Sequence, residues 1–215
     1  MLVVVPTRGR PENAARLSKA FKETAGPNTD LLFCADANDP SDYEGAVPRH
    51  QLRRGTPARL GPWLNRIAVK EAKRFSVIGF MGDDHLPETP HWDTEIAQAV
   101  TAVRYGMAYG DDGYQHENLP TAVFMSADLI TRLGWMVYPG LTHLYIDNHW
   151  KDIGEALNSL TYLRHVSIRH MHRDLGLAEN DETYVQANSP EMWVQDESGY
   201  ADFKRTVLPE IQGWA

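Results

Sequence analysis

An α/β fold, with a mostly parallel sheet covered by helices on both faces, is what this chain predicts, and three observations predict it. Short apolar runs rich in Val, Ile and Leu recur at residues 2–5, 31–35 and 76–81. Segments with apolar residues at helical spacing lie between these runs, and alternation of buried strand and amphipathic helix implies parallel pairing. Each run ends in a polar, mostly ionisable stretch, where ligands bind in open sheets of this kind.

The first strand, 2–5, is β-branched and closes in Pro6-Thr7-Arg8-Gly9-Arg10-Pro11. Pro11 suits a helix start, and residues 12–24 carry Ala15, Leu17, Ala20 and Phe21 at helical spacing. Gly26-Pro27-Asn28 breaks that helix, and the second strand, 31–35, runs into Asp36, Asn38, Asp39 and Pro40. Residues 41–62 show no period and are rich in Pro, Gly and Arg, so they read as irregular. A helix over 63–74 places Leu64, Ile67, Ala68 and Ala72 on one face.

The central strand, 76–81, emerges directly into Gly82-Asp83-Asp84-His85. Adjacent carboxylates repel unless a cation compensates them, and Mg²⁺ or Mn²⁺ is the usual one. An acidic surface turn is the other reading, because Gly-Asp-Asp is ordinary turn chemistry.

A helix over 94–105 follows, with Ile96, Ala99, Val100 and Val103 inward, then the end of a short strand at 108–109, which again meets an acidic pair, Asp111-Asp112. Residues 119–125 read as a strand and 128–133 as a helix stopped by Gly134. Residues 140–150 form a polar-aromatic cluster containing Thr142, His143, Tyr145, Asp147, Asn148 and His149. A helix over 152–160 and a last short strand, 166–168, lead to Arg169-His170-Met171-His172-Arg173. On an extended segment His170 and His172 share a face and could reach one ion, although two histidines on a surface strand are also common. A terminal helix is expected from about 189 to 207.

The 215 residues suit a single domain, and 42% hydrophobic content with 23% charge gives it a soluble protein's core. No apolar run is long enough for a membrane helix. The opening Met-Leu-Val-Val-Val-Pro reads as a strand rather than a signal peptide. The single Cys34 excludes an intrachain disulfide and a thiolate zinc site, and fits a reducing, cytoplasmic setting. A net charge of −8 argues against a general nucleic-acid coat. Arg49, Arg53, Arg54 and Arg59 still leave room for a local basic groove, or for a solvated patch. No Gly-x-x-x-x-Gly-Lys, Gly-x-Gly-x-x-Gly or Gly-x-Ser-x-Gly motif occurs.

In order, Val3-Val4-Val5-Pro6-Thr7-Arg8-x-Arg10-Pro11, a strand ending in Asp36, the Trp63-Leu64-Asn65-Arg66 helix and Met81-Gly82-Asp83-Asp84-His85-Leu86-Pro87 form a recognisable series. This series resembles the family 2-like glycosyltransferases of the GT-A fold over residues 2–175, most specifically over the first 90 or so. The resemblance implies a Rossmann-like, three-layer α/β/α GT-A domain spanning 1–215. Residues up to about 107 would form the nucleotide-sugar-binding half, 108–175 the acceptor-binding half, and 176–215 a helical extension.

It further implies that Pro6, Thr7, Arg8 and Arg10 hold the nucleotide of a sugar donor. Asp36 would accept from the base, with Asp39 as the second candidate, and Asn65 and Arg66 would line the nucleotide pocket. Asp84 would be the principal ligand of Mn²⁺ or Mg²⁺, Asp83 would contact the ribose, and His172 or His170 would add a second ligand. His85 is expected as a neighbour of the site, and Asp147 falls where the family has its acceptor-activating carboxylate. The family's usual Asp-x-Asp begins with a carboxylate, whereas this chain has Gly82, which throws more weight on a histidine ligand.

The expected activity is metal-dependent transfer from a nucleotide-diphosphate sugar, foremost a UDP-sugar, to an acceptor hydroxyl with inversion. A non-catalytic nucleotide-sugar or glycan-binding protein of the same fold is the alternative. A nucleotidyltransferase ranks behind it, because the first loop has one Gly and no Lys. Asp111, Asp112, Tyr114, Trp135 and His143, with Tyr109, His116, Tyr138 and Tyr145, are candidates to border an acceptor pocket. The acceptor stays open among a glycan, a protein side chain and a modified nucleobase, and so does homo-oligomerisation. No membrane partner is expected.

Overall fold

Strand β1 (Leu2–Thr7) sends Leu2 and Val4 into one apolar layer and Val3 and Val5 into another, with none of the four more than 4% exposed. A strand apolar on both faces is buried on both, so helices must cover each side of the sheet. The structure, a computed structural model, describes residues 1–177 and 181–214; residues 178–180 and 215 of the expected C-terminal extension lie outside them.

One layer packs helices α1 (Pro11–Thr24) and α3 (Trp92–Thr101) through Leu17, Phe21, Trp92 and Ile96. The other packs α2 (Leu60–Glu71), α4 (Ala127–Leu133) and α5 (Ile146–Ala156) through Trp63, Ile67, Leu129, Trp150 and Ile153. The C-terminal helices α7 (Pro190–Thr206) and α8 (Leu208–Gln212) join this second layer through Phe203 and Ile211. Helix α6 (Glu182–Ala187) lies before them, its N-terminus capped by the Asp181 carboxylate accepting from the Tyr184 N–H.

The sheet has eight strands in the order β3-β2-β1-β4-β7-β6-β8-β5. These are β2 (Asp30–Asp36), β3 (Leu52–Gly55), β4 (Val77–Phe80), β5 (His85–Pro87), β6 (Met107–Asp111), β7 (Val123–Ser126) and β8 (Leu160–His170). Pairings β1–β2, β1–β4, β2–β3 and β6–β8 are parallel, while β4–β7, β6–β7 and β5–β8 are antiparallel. The fold is thus a three-layer α/β/α sandwich with a mixed, mostly parallel sheet. Gly79 of β4 faces Phe124 of β7, where an added Cβ would come within 2.1 Å of the ring.

Several boundaries depart from the sequence reading. Residues 41–62 are not all irregular: they contain a 3₁₀ turn (Arg49–Gln51), β3 and the start of α2. β3 is an edge strand that carries a half-buried Arg53 and an exposed Arg54, so it lacks an apolar signature. The helix expected over 152–160 instead spans Ile146–Ala156, because Ile146, His149, Trp150 and Ile153 all turn inward; Leu160 already belongs to β8. The strand expected at 166–168 runs eleven residues, its first part half-buried and polar. No helix among the described residues is long and apolar enough to cross a membrane.

Candidate active site at the strand switch point

From β1 the chain steps outward to β2 and β3, then returns through α2 to β4 on the other side of β1. The carboxyl ends of β1 and β4 therefore open on a crevice where the connections diverge, the place where open α/β sheets bind ligands. Two loops meet there. Thr7 Oγ1, at the end of β1, donates to Asp83 Oδ2 at 2.7 Å, and Arg10 Nη1 reaches Asp83 Oδ1 at 3.3 Å. Burial and the Asp84 charge push the Asp83 carboxyl up to about 6, against the opposing pull of Arg10 and Thr7.

Asp84 faces the far edge of the sheet. Antiparallel register sets His85 of β5 opposite His170 of β8, and their rings stack at 4.2 Å with 16° between planes. His170 Nε2 lies 3.6 Å from Asp84 Oδ2, and His85 Nδ1 lies 3.3 Å from Asp84 Oδ1. Burial would raise the Asp84 carboxyl, but hydrogen bonding and charge from His170 hold it well below the usual range. Burial lowers His170 in turn, and Asp84 more than compensates, leaving that imidazole above its ordinary value.

One ligand atom each from Asp84, His85 and His170 fall within 4.8 Å of one another. The two imidazoles cannot both serve one ion in this arrangement, because an imidazole lone pair lies in its ring plane and these planes are stacked nearly parallel. His85 is also engaged: Gly82 N–H donates to its Nδ1 at 3.0 Å, and its Nε2 faces Thr121 Oγ1 at 3.5 Å. His170 differs, since its Nδ1 is buried without a hydrogen-bond partner. A carboxylate beside an imidazole with an unpartnered nitrogen is a donor set that fits Mn²⁺, and less closely Mg²⁺, with coordination positions left for ligand oxygens.

A cavity of ≈380 Å³ joins these groups to both loops. Pro6, Thr7, Arg8, Arg10, Asp36, Asp83, Asp84, His143, Asp147, His170 and His172, all expected from sequence, line it. Asp36 accepts from Trp63 Nε1 at 2.8 Å, Ala58 N–H at 3.0 Å and Arg8 Nη1 at 2.9 Å. Asp39 does not line the cavity and instead ties its own loop to the β1 loop, accepting from Gly9 N–H, Ser41 N–H and the Tyr43 hydroxyl. His172 stacks on Tyr114 at 4.6 Å and packs edge-on against His170 with ring centroids 5.0 Å apart, its Nδ1 lying 3.7 Å from Asp174.

Asp147 sits in the first turn of α5. Burial pushes its carboxyl up to about 7, with His170 pulling it down and Asp112 adding to the rise. The loop before it is fixed from behind by Asp196 of α7, which is fully buried. Asp196 accepts from the N–H groups of Thr142, His143 and Leu144 and from the Thr142 hydroxyl, at 2.6–2.9 Å. Tyr145 then takes a left-handed φ of 59° to start the helix, a strained conformation that the surrounding hydrogen bonds must hold.

His85 and Tyr145, also expected at or beside the site, line the cavity too, and the remaining expected residues lie elsewhere. Asn65 ties α2 to the segment after α4 through Met136 N–H, Val137 N–H and Val137 O. Arg66 lies over the Trp63 ring and donates to Thr56 O. Asp111 bonds Tyr162 and His116, Tyr114 donates to Asp174, and Trp135 packs against Tyr138 and His149, all away from the cavity wall. Asp112 is buried behind the wall, accepting from Thr121 Oγ1 and from the N–H groups of Tyr114, Gln115 and His116.

Sequence reasoning missed the wall built by Thr183, Tyr184, Gln186 and Asn188, which reaches the cavity through long-range packing. It also missed Asp181, whose carboxylate takes Arg10 Nη2 at 2.7 Å, and the lining residue Thr121, while Arg59 of the arginine cluster read as a possible basic groove does line the cavity.

The fold is the GT-A architecture, the one found in nucleotide-diphospho-sugar transferases. A mannosyltransferase from Pyrobaculum calidifontis, solved with GDP-Man and Mn²⁺, superposes with a TM-score of 0.62 at 11% identity, over 95% of this chain and 75% of that one. S. aureus TarS 1–349 with UDP-GlcNAc gives 0.57 at 13% identity, over 96% and 75%. Glucosyl-3-phosphoglycerate synthase from Mycobacterium tuberculosis, with Mg²⁺ and UDP, gives 0.59 at 12%, over 92% and 78%. No family profile and no curated protein matches the chain in sequence, so these likenesses establish the fold.

Proposed function

We propose that this protein is a divalent-metal-dependent glycosyltransferase that moves a sugar from a nucleotide diphosphate to an acceptor hydroxyl. The observation that carries this reading is one cavity holding Asp84 with His170 and, across it, Asp147 with a carboxyl raised to about 7, all at the switch point of a GT-A sheet. The likeness to enzymes solved with GDP-Man, UDP-GlcNAc and UDP supports a nucleotide-sugar donor.

Asp84 and His170 would hold the cation, which when bound neutralises charge developing on the departing diphosphate. The β1 loop, with Thr7, Arg8 and Arg10, and Asp36 at the end of β2 would receive the nucleoside. Asp147 takes the proton of the acceptor hydroxyl as the acceptor oxygen bonds to the anomeric carbon. The bond from that carbon to the diphosphate oxygen breaks on the opposite face, and its electron pair leaves with the diphosphate. A single displacement of this kind inverts the anomeric configuration. A carboxyl near 7 suits a group that must be ionised to start and protonated to finish.

The test is a panel of UDP-, GDP-, ADP- and dTDP-sugars with Mn²⁺, followed by thermal shift and by release of nucleoside diphosphate. Stabilisation by at least one donor, with nucleotide release that needs the metal, is the expected result. Stabilisation without turnover would favour a binding protein of this fold, and no response to any donor would reject the reading.

A further inference from the structure

We propose that His85, Thr121 and Asp112 form a buried positioning chain that presents Asp84 and His170 to a divalent cation, with His85 itself outside the coordination sphere. The inference rests on the metal-dependent reading above and names residues that reading leaves without a role.

The chain can be followed atom by atom. Asp112 Oδ1 accepts from the N–H groups of Tyr114, Gln115 and His116 at 2.7–3.0 Å, so this oxygen is fixed by backbone. Its Oδ2 takes the single hydroxyl proton of Thr121 at 2.8 Å. Thr121 Oγ1 then has only lone pairs to offer His85 Nε2 at 3.5 Å, which sets the proton on Nε2. Nδ1 is left as an acceptor, and Gly82 N–H fills it at 3.0 Å. The turn carrying Asp84 is thus anchored to Asp112 through two side chains.

The same Asp112 also holds the other ligand. Its backbone carbonyl accepts the His170 N–H at 2.9 Å, and the His85 ring lies flat beneath the His170 ring. Asp112, Thr121 and His85 are all at most 7% exposed, so water does not compete for these bonds.

Gly82 completes the device. A Cβ there would approach Asp84 Oδ1 to 2.5 Å and His85 Nδ1 to 2.9 Å. The imidazole therefore fills the space beside Asp84 that a side chain at position 82 would need. The carboxylate missing from the usual Asp-x-Asp motif is replaced here by a positioning imidazole, not by a third ligand.

Groups that orient metal ligands change affinity by about 10–100-fold when removed. Mn²⁺ alone is titrated calorimetrically into the full chain, in wild type, Thr121→Val and Thr121→Ser, with melting in EDTA as the fold control. Thr121→Val should bind Mn²⁺ about 10–100-fold more weakly, while Thr121→Ser, which restores the hydroxyl, should stay near wild type. His85→Phe keeps a ring beneath His170 but removes both nitrogens, and should lose affinity to a similar degree. Wild-type affinity in Thr121→Val or His85→Phe would overturn the chain alone, as would equal losses in the Val and Ser variants. A wild type that holds no Mn²⁺ would overturn the metal reading itself, and the chain with it.

Discussion

Replacing Asp147 by Asn should stabilise the metal-free fold and abolish transfer, and the stability gain should appear only above mildly acidic pH. The Asp147 carboxyl stands at about 7 in the folded chain against an ordinary 3.8. A carboxyl raised on folding keeps its proton where the unfolded chain has lost it, so stability falls as pH rises from about 4 through about 7. At 1.36 kcal/mol per pH unit the full difference corresponds to about 4 kcal/mol. Asp147 borders the cavity and is only partly covered, so solvent screens part of this, and roughly half, about 2 kcal/mol, is the expected gain.

Asn has no ionisation to suppress, so the difference between wild type and variant should be near zero at pH 4 and complete at pH 8. For a chain of this size that is about 4–8 °C in Tm at pH 8. Thermal denaturation in EDTA at both pH values measures it, and nucleoside diphosphate release measures the functional half. An equal Tm difference at pH 4 and pH 8 would refute the reasoning about burial. Normal turnover in Asp147→Asn would refute its role as the base.

Three further outcomes follow from single contacts. Gly82→Ala forces a methyl against the Asp84 carboxylate and the His85 ring, and should cost about 1–3 kcal/mol by urea denaturation while weakening Mn²⁺ binding. Asp196→Ala strands the N–H groups of Thr142, His143 and Leu144 without their acceptor, and should cost about 3 kcal/mol or more; unchanged stability would show that the loop rearranges freely. His149 is fully buried and held down to about 3 by burial, so only the unfolded chain takes up its proton below about 6.5. Stability present above that pH should fall by about 2 kcal/mol at pH 5, and His149→Gln should remove that part of the acid slope.

Legibility in the sequence followed burial. β1, β2 and β4 are buried on both faces, so each had to be an uninterrupted apolar run. β3, β5 and the first half of β8 lie at edges or half in solvent, where Arg53, Arg54, Arg164 and His165 are acceptable, and no periodicity marks them. The acids at strand ends were visible because the strands were, and the switch point gave them a common destination. What could not be read was which acids line the cavity. Asp36 and Asp39 both follow β2, and only the Gly9, Ser41 and Tyr43 contacts assign Asp39 to the tie between its own loop and the β1 loop. The wall from α6 was hidden more deeply, because its arrival depends on Arg10 meeting Asp181, 171 residues away.

Charge balance links the metal reading to the chain's acidity. The cavity is lined by the carboxyls of Asp36, Asp83, Asp84 and Asp147, and two of its arginines are already committed, Arg8 to Asp36 and Arg10 to Asp83 and Asp181. A diphosphate entering such a cleft would meet four carboxyls with Arg59 as the one other arginine of the lining, on a protein of net charge −8. Two features reduce that repulsion under the proposed function. Asp83 and Asp147 have carboxyls raised toward neutral pH, so neither carries its full charge there, while Asp84 is kept ionised beside His170. A divalent ion on Asp84 and His170 would then add to Arg59 the positive charge that the paired Arg8 and Arg10 do not supply. An anionic donor should accordingly bind this protein far more weakly without the metal than with it, a dependence steeper than a cleft with free arginines would show.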